Sequence, residues 1–254
     1  GPARQPGEIL DQRHFDIAHS IQAMYEEAFF HLLNTIQEKY GLQELALSGG
    51  CAMNSVANGK IYRNTRFKKV YIQSAAGDAG GAIGAAVVAW HKKSPKAKRM
   101  PVMNHAYWGP EFSDDEIEHV LEENKRAIVA AGCEISLISD EQVLFEATVD
   151  ELVDGKVIGW FQGRMEWGPR ALGNRSILCD PRRTDMKEIL NSKIKRRESF
   201  RPFAPSILRE DVSDWFEEDD DVPFMMKVFQ IREDRRSIIP AVTHVDGSGR
   251  LQTV

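Results

Sequence analysis

Two short apolar segments that each run straight into a glycine-rich turn constrain the fold of this chain more than any other feature. Residues 44–48 (ELALS) lead into GGCAMN, and residues 69–74 (KVYIQS) lead into AAGDAGGAIGAA. Each pattern predicts a buried strand that turns tightly into a following helix. Helices and strands that alternate in this way are typical of an α/β domain.

A long helix is predicted before the first strand, over residues 13–40, with Gly41 as its left-handed C-terminal cap. Its apolar residues recur at the spacing of one helix face, which we expect to be buried. These residues are Ile17, Ile21, Met24, Tyr25, Ala28, Leu32 and Ile36.

Residues 91–112 break the periodicity with three prolines and a basic run, so we expect a domain boundary there. The predicted organisation is a first domain over residues 1–100, a linker over 101–112 and a second domain over 113–254. The second domain is predicted to begin with a capping box, Ser113 to Glu116, that starts a helix. Further along we predict strands over 134–139, 156–162, 175–180 and 224–231, and helices over 140–155 and 184–195, the last of them capped by Thr184.

Charge is distributed unevenly along the chain, and this narrows the classes of function. The formal net charge of −5 argues against a general nucleic-acid binder. Residues 160–209, however, hold nine Arg and three Lys against five acidic residues, and residues 210–221 hold eight acidic residues. Local charge therefore says more about function than net charge does.

The cysteines and the apolar runs argue against further classes of protein. The three cysteines, Cys51, Cys133 and Cys179, show no C-x-x-C spacing, which argues against a disulfide framework or a cysteine zinc site. Cys51 has no neighbour in sequence that would activate it as a nucleophile. No apolar run approaches the ~20 residues of a membrane span, and the polar start shows no signal peptide. We therefore expect a soluble, cytoplasmic protein.

The segment GRMEWGPRALGNRS, residues 163–176, places three arginines among three glycines and a proline, and KIKRRESFRPFAPS, residues 193–206, is a second basic run. Arginine offers a planar fork of donors that matches phosphate oxygens, and glycine and proline neighbours fix its direction. We predict a polyphosphate site. Its residues would be Arg164, Arg170, Arg175, Lys193, Lys195, Arg196, Arg197 and Arg201. Two alternatives stay open: ion pairs with the acidic residues 210–221, and a nucleic-acid groove.

The two glycine-rich turns carry a second candidate site. Backbone N–H groups of Gly49 and Gly50, at the start of a helix, are placed to bind a phosphate, and Asn54 to reach a ribose hydroxyl. The alternative is a tight turn that serves only packing. Asp78 is the only charge in a run of small residues; a metal or a ribose would explain a buried carboxylate there, and the alternative is a helix N-cap. Together the two turns resemble the phosphate loops of actin-like ATPase folds.

Four stretches in order, LSGGCAMNSVANGKI, AAGDAGGAIGAA, GRMEWGPRALGNRSILCDPR and RESFRPFAPSIL, resemble the NodU/CmcH/TobZ O-carbamoyltransferase family over essentially the whole chain. The resemblance implies an α/β fold: the second lobe of an actin-like (ASKHA) domain, followed by an α+β YrdC-like domain. In this family the YrdC-like domain joins carbamoyl phosphate to ATP, which forms carbamoyl-adenylate and pyrophosphate. The actin-like domain then places the carbamoyl group on a hydroxyl of a small-molecule acceptor, usually a natural product.

The resemblance also assigns roles to residues. It implies catalytic roles for Arg170, Arg175 and Arg201, and substrate or nucleotide binding by Gly49, Gly50, Asn54, Arg164, Ser176, Lys193 and Arg197. It further implies that Asp78 is a ligand of a divalent metal, iron, and that Mg²⁺ accompanies ATP.

Two features of the family do not occur in this sequence. They are an H-x-x-x-H motif, whose histidines would be further metal ligands, and a C-terminal Asn-Thr-Ser-Phe-Asn segment. We therefore expect a fragment that holds the second lobe of the first domain and most of the second, and that does not complete carbamoyl transfer alone.

Two other classes of function remain as alternatives. One is an RNA-binding or tRNA-modification-related YrdC-like module, which would present solvent-facing lysines among exposed aromatic residues. Arginines held by glycine and proline favour a small anion instead. The other class is a non-catalytic ATP-sensing or scaffold fragment. No membrane partner is expected, nucleic acid is disfavoured, and oligomerisation stays open.

Overall fold

The computed structural model describes residues 1–5, 7–96, 98–99 and 102–254, and it shows a mixed α/β structure. The first part of the chain alternates helices with two short strands. Its elements are α1 (Gln12–Tyr40), β1 (Glu44–Leu47), a 3₁₀ turn (Gly50–Met53), α2 (Ser55–Gly59), α3 (Ile61–Asn64), β2 (Lys69–Ile72) and α4 (Gly80–Lys93).

Strands β1 and β2 form a parallel pair, in register from Glu44 opposite Lys69 to Leu47 opposite Ile72. Helices α2 and α3 make the crossover, because parallel strands cannot be joined by a tight hairpin. The predicted long helix and both strands are confirmed, and Gly41 caps α1 at φ 66°. Since the two strands are parallel, both glycine-rich turns lie at the same edge of this sheet.

The predicted buried face of α1 is wrong. The helix buries Leu33, with Phe29 and Phe30 packed beside it, in a cluster that contains residues of α3 and β2. The residues of the predicted face are mostly exposed; the exposed fraction is 66% at Met24 and 58% at Ile21. Helical spacing identifies apolar stripes, but the elements that pack against a helix decide which stripe is covered.

The second part of the chain contains more, and shorter, elements. These are α5 (Asp114–Ala130), α6 (Glu141–Val153), β3 (Ile158–Phe161), β4 (Arg175–Leu178), α7 (Met186–Ile189), a π-helical turn (Leu190–Ile194), β5 (Ser206–Ile207), a 3₁₀ turn (Arg209–Asp211), α8 (Val212–Trp215), β6 (Val228–Gln230), β7 (Ser248–Arg250) and β8 (Gln252–Thr253). The pairs β3–β4 and β6–β7 are antiparallel, and β5–β8 is parallel. The predicted capping box is confirmed, since Ser113 and Glu116 bond each other's backbone N–H.

Two predictions in this part are wrong. Residues 134–139 form no strand; they are exposed, and no strand in the described chain lies beside them to pair their backbone groups. Thr184 does not cap a long helix. It lies in a turn, and α7 begins two residues later as a single turn that continues in the π-helical conformation. The side chain of the cap residue, Asp185, is held instead by Arg183.

The two parts of the chain share a core. Phe224 and Met226 lie in the same buried cluster as Leu33. The buried side chain of Asn58, in α2, donates to Met226 O at 3.0 Å and to Ala52 O at 2.8 Å, which fastens α2 to the segment before β6. No helix among the described residues is both long enough and apolar enough to cross a membrane.

Candidate anion-binding site

The loop between β3 and β4 docks on the second glycine-rich turn. Ser74 Oγ donates to Trp167 O at 2.9 Å, and Trp167 N donates to Ala106 O at 2.6 Å. Gly168 has φ 121°, and a Cβ at this position would lie 2.8 Å from Ser74 O. Glycine is therefore required at position 168 both for its backbone conformation and for this close approach.

A buried carboxylate, that of Glu166, organises the same loop. Its Oε1 accepts from the N–H groups of Leu172 at 2.6 Å and Asn174 at 2.8 Å, and its Oε2 accepts from Arg175 Nε at 3.1 Å. Burial alone would raise the pKa of Glu166, but these two backbone N–H groups and Arg175 hold the pKa below its usual value. Arg175 Nη2 also donates to Gly168 O at 3.0 Å. Arg175, predicted as catalytic, thus takes part in the internal support of the loop.

Replacing Glu166 with glutamine is expected to lower the free energy of unfolding by about 2 kcal/mol at neutral pH, because charge-assisted bonds to a buried group are lost. Since the folded-state pKa of Glu166 lies below its unfolded value of about 4.3, the contribution is fully present above that pH. It is lost as the pH falls through the folded-state pKa. Urea unfolding of both proteins should therefore show a difference that shrinks in acid. The exposed Glu122→Gln variant is the control, and an equal effect in it would contradict the role of Glu166.

Arg170, Arg197 and Arg250 form a cluster of half-buried guanidinium groups. Burial, together with the positive charges of Arg170 and Arg197, lowers the pKa of Arg250 to about 10. Burial also lowers the pKa of Arg170, and burial and then the charge of Arg201 lower that of Arg197. A guanidinium group stays protonated in proteins, so the cluster is positively charged at pH 7, and Arg170 and Arg197 each repel Arg250.

No direct ion pair neutralises this cluster within the described part of the chain. None of the three guanidinium groups forms an ion pair with a described carboxylate, and Nε of Arg170 and of Arg250 is buried without a hydrogen-bond partner there. Arg197 is held by its Nε, which donates to Asn191 Oδ1 at 2.7 Å, and by the ring of Phe203 beneath it. Buried, unpaired donors on like charges fit an anion such as a phosphate, which would satisfy both hydrogen bonding and charge.

Apart from Arg175, the other basic residues predicted for this site are more exposed than the three arginines of the cluster. Arg164 is exposed and pairs with Glu111 at 3.3 Å, Arg201 is 52% exposed and pairs with Glu198 at 2.8 Å, and Lys193 is exposed. The side chain of Ser176 accepts from Gly173 N at 3.0 Å, inside the loop.

The acidic residues 210–221 are not the partners of the two predicted basic clusters. Asp219 and Asp221 pair with Arg209, and Asp220 pairs with Lys227. Glu217 and Glu218 pair with Arg63, in α3. Within the described ranges no ion pair joins this acidic stretch to the cations of residues 164–175 or 193–201. The alternative of a neutralising salt-bridge network is therefore wrong.

In the first glycine-rich turn, groups that were predicted to bind a ligand already form hydrogen bonds within the protein. Gly49 N donates to Ala76 O at 2.7 Å, so one of the two expected phosphate-binding N–H groups is already bonded. Gly49 has φ 99°, which explains the glycine, and a Cβ at Gly50 would meet open space. Asn54 caps α2 through Ala57 N and bonds Gln22, so its side chain has a structural function here.

Asp78 is exposed rather than buried, and it makes no helix-capping hydrogen bond in α4. It lines a cavity of about 420 Å³ with Met53, Trp167 and Gly168. The two glycine-rich turns therefore meet there with the loop between β3 and β4 (the arginine loop). In the described part of the chain no three His, Cys, Asp or Glu side chains are grouped as metal ligands. One exposed carboxylate does not fit a divalent transition metal, which needs several convergent ligands.

Sequence reasoning missed Arg250. It lies in β7, far along the chain from the other cluster residues, and Gly249 precedes it directly. Arginine held by glycine was the signal that singled out residues 163–176, and the same signal occurs here. The neighbouring His244 was also missed; burial lowers its pKa, and its Nε2 has no hydrogen-bond partner among the described groups.

The geometry defines a mixed α/β protein with a cluster of three half-buried arginines and two glycine-rich turns. Two family models match the chain: Carbamoyltransferase N-terminus over residues 3–87, and Carbamoyltransferase C-terminus over residues 149–254. The chain belongs to the carbamoyltransferase family, which is a family of transferase enzymes. The family resemblance carried by the four motifs is thereby confirmed.

Curated relatives agree with this membership. The chain is 48% identical to a Synechocystis sp. protein of uncharacterized function, over 100% of the chain and 44% of the relative. It is 42% identical to nodulation protein NolNO of Sinorhizobium fredii, over 99% of the chain and 36% of the relative. It is 36% identical to 3'-hydroxymethylcephem-O-carbamoyltransferase of Streptomyces clavuligerus, over 83% of the chain and 36% of the relative. The chain spans less than half the length of each of these relatives.

Proposed function

We propose that this chain holds the phosphate-binding part of an ATP-dependent O-carbamoyltransferase. The whole protein would form carbamoyl-adenylate from carbamoyl phosphate and ATP, and would transfer the carbamoyl group to a hydroxyl of a small-molecule acceptor. The observation that carries this proposal is the cluster of Arg170, Arg197 and Arg250, in which the buried Nε of Arg170 and of Arg250 finds no partner in the described chain. Family membership supports carbamoyl as the group transferred.

The proposed chemistry explains why three arginines are needed. Water displaces phosphate from carbamoyl phosphate and leaves carbamate; a carbamate oxygen then attacks the α-phosphorus of ATP, and the bond to the leaving pyrophosphate breaks. Carbamate and the triphosphate are both anions that repel each other. Guanidinium groups fixed beside the phosphates offset this repulsion and stabilise the charge that moves to the leaving oxygen. ATP is proposed to enter with Mg²⁺.

The surrounding residues have supporting functions in this proposal. Arg175 is a positioning residue, because it holds the loop of Arg170 through Glu166 and Gly168 O. Arg201 and Lys193, at the exposed rim, attract the incoming anion, and Arg201 exchanges its pair with Glu198 for a phosphate oxygen.

At the level of domains, we propose an actin-like second lobe over residues 1–100 and a YrdC-like domain over 113–254, joined by 101–112. The cavity that Asp78 shares with the arginine loop would receive the adenylate from the cluster. The loop between β3 and β4 supports this transfer, because it lines the cavity at Asp78 and also carries Arg170 of the cluster.

Arg170→Ala, made in the protein at its natural length, is expected to lower pyrophosphate release at least tenfold. A charge-assisted contact is worth roughly 1.5–3 kcal/mol, which corresponds to a tenfold change or more. Pyrophosphate release is measured with ATP and carbamoyl phosphate together and with each alone. Arg201→Ala, at the rim, should cause a smaller loss.

Arg126→Ala is the matched control, because Arg126 lies on the exposed helix α5, away from the cluster. It should release pyrophosphate like the unaltered protein. Release that does not require carbamoyl phosphate, or an Arg170→Ala variant as active as the control, would refute the proposed function.

A further inference from the structure

A second and larger cavity is lined in part by Trp167, a residue of the loop between β3 and β4. Its volume is about 920 Å³, and it lies between α4 and the segment that precedes α5. Its apolar walls come from Ile83, Val87 and Val88 of α4 and from Met103, Trp108 and Trp167. Small-molecule sites in proteins have this size and this predominance of apolar and aromatic side chains.

The charged residues of this cavity are all basic. Its rim holds Lys92, Arg99 and His91, and no acidic residue lines it among those described. In the described ranges none of the three has an ion-pair partner within 4.0 Å, in a chain whose net charge is negative. An apolar wall with a one-sided positive rim is complementary to a molecule that has an apolar body and an anionic group.

Trp167 connects this cavity with the smaller one at Asp78, because this residue lines both. Its indole Nε1 is buried, and no described acceptor bonds it. A buried indole N–H normally has a hydrogen-bond partner. A ligand oxygen at the boundary of the two cavities would supply that partner.

We propose that the larger cavity binds an amphipathic organic anion: an aromatic or alicyclic body against α4, a carboxylate or similar group at Lys92 and Arg99, and an oxygen at Trp167 Nε1. Resting on the proposed function, this anion is the carbamoyl acceptor, and the oxygen at Trp167 is its hydroxyl. That oxygen attacks the carbamoyl carbon of the adenylate; the bond to the phosphate oxygen breaks, AMP leaves, and the hydroxyl proton is released.

Binding is tested with 8-anilinonaphthalene-1-sulfonate, an aromatic anion that fluoresces in apolar sites, and with its uncharged counterpart N-phenyl-1-naphthylamine. Val87→Trp fills the cavity and should weaken binding of both probes at least tenfold. The double variant Lys92→Ala/Arg99→Ala leaves the apolar wall intact, so it should weaken only the anionic probe, by about tenfold for the loss of close charge partners.

Two variants serve as matched controls: Val149→Trp, an exposed position of α6, and Lys68→Ala, an exposed lysine outside the cavity. Neither should change binding of either probe. If the Val87→Trp variant binds the probes as tightly as the Val149→Trp control does, the proposed site is overturned. If the double variant binds the anionic probe as tightly as the unaltered protein does, the ligand is not an anion, and that part of the proposal is overturned.

The acceptor role is tested in the protein at its natural length with 6-(hydroxymethyl)-2-naphthoate and its methyl ester, by mass spectrometry of the carbamoylated product. The acid should be carbamoylated at least tenfold faster than the ester, and the double variant Lys92→Ala/Arg99→Ala should remove this preference. Pyrophosphate release without any preference for the acid would overturn the acceptor class. Arg250→Ala separates the two proposals: it should abolish pyrophosphate release and leave probe binding within twofold of the unaltered protein.

Discussion

Replacing Arg250 with alanine is expected to lower carbamoyl-phosphate-dependent pyrophosphate release at least a hundredfold, the largest loss among the cluster arginines. Arg250 has a buried Nε without a partner in the described chain, and its pKa is lowered to about 10 by burial and by two neighbouring guanidinium groups. A phosphate held by two donors of one guanidinium gains two charge-assisted bonds, together about 3 kcal/mol or more. A hundredfold loss corresponds to about 2.8 kcal/mol.

Stability separates a binding role of Arg250 from a structural one. Arg170 and Arg197 repel Arg250, so its removal relieves repulsion in the unliganded protein. The urea midpoint of Arg250→Ala should therefore not fall. Arg250→Lys keeps the charge but loses the planar fork, and it should recover only part of the activity. A destabilised Arg250→Ala, or full activity in it, would contradict the assignment.

Much of the fold was predictable because the signals are local. A strand that runs into a glycine-rich turn, a capping box and a left-handed glycine cap each act within a few residues, and α1, β1, β2 and α5 follow them. The strand predicted at 134–139 failed for the opposite reason. A strand exists only with a partner, and an apolar pattern contains no information on whether a neighbour is present.

The sequence indicated which kind of side chain forms the candidate site, but it identified only some of the residues. Arginines among glycines indicated an anion site, and Arg170 and Arg197 lie together in the guanidinium cluster that is the candidate for it. Arg175 has the same local sequence character, but a buried carboxylate, Glu166, takes its guanidinium. Arg250 joins the cluster from β7. Which cations stay unpaired depends on contacts between distant segments, and a single sequence does not contain these.

Gly59→Ala is expected to destabilise the protein by about 3 kcal/mol, a typical cost of severe overpacking. A Cβ at position 59 would lie 1.9 Å from Val228 O and 2.8 Å from Val228 C. These are backbone atoms of β6, so no side chain can rotate away to make room. The clash lies where α2 packs on β6, beside the buried Asn58 that bonds Met226 O, and a shift there would disturb the shared core of the two parts of the chain.

Gly84→Ala is the matched control for Gly59→Ala, since Gly84 lies inside helix α4 and a Cβ there would meet open space. Alanine is favoured over glycine inside a helix by roughly 0.5–1 kcal/mol, so Gly84→Ala should raise the free energy of unfolding by that amount. The same helical preference acts at Gly59, and only the contact with Val228 reverses its sign. Urea unfolding of the two variants should therefore shift the midpoint in opposite directions. Equal gains in both would mean that α2 and β6 are not in close contact, and that the two parts of the chain are not joined at this point.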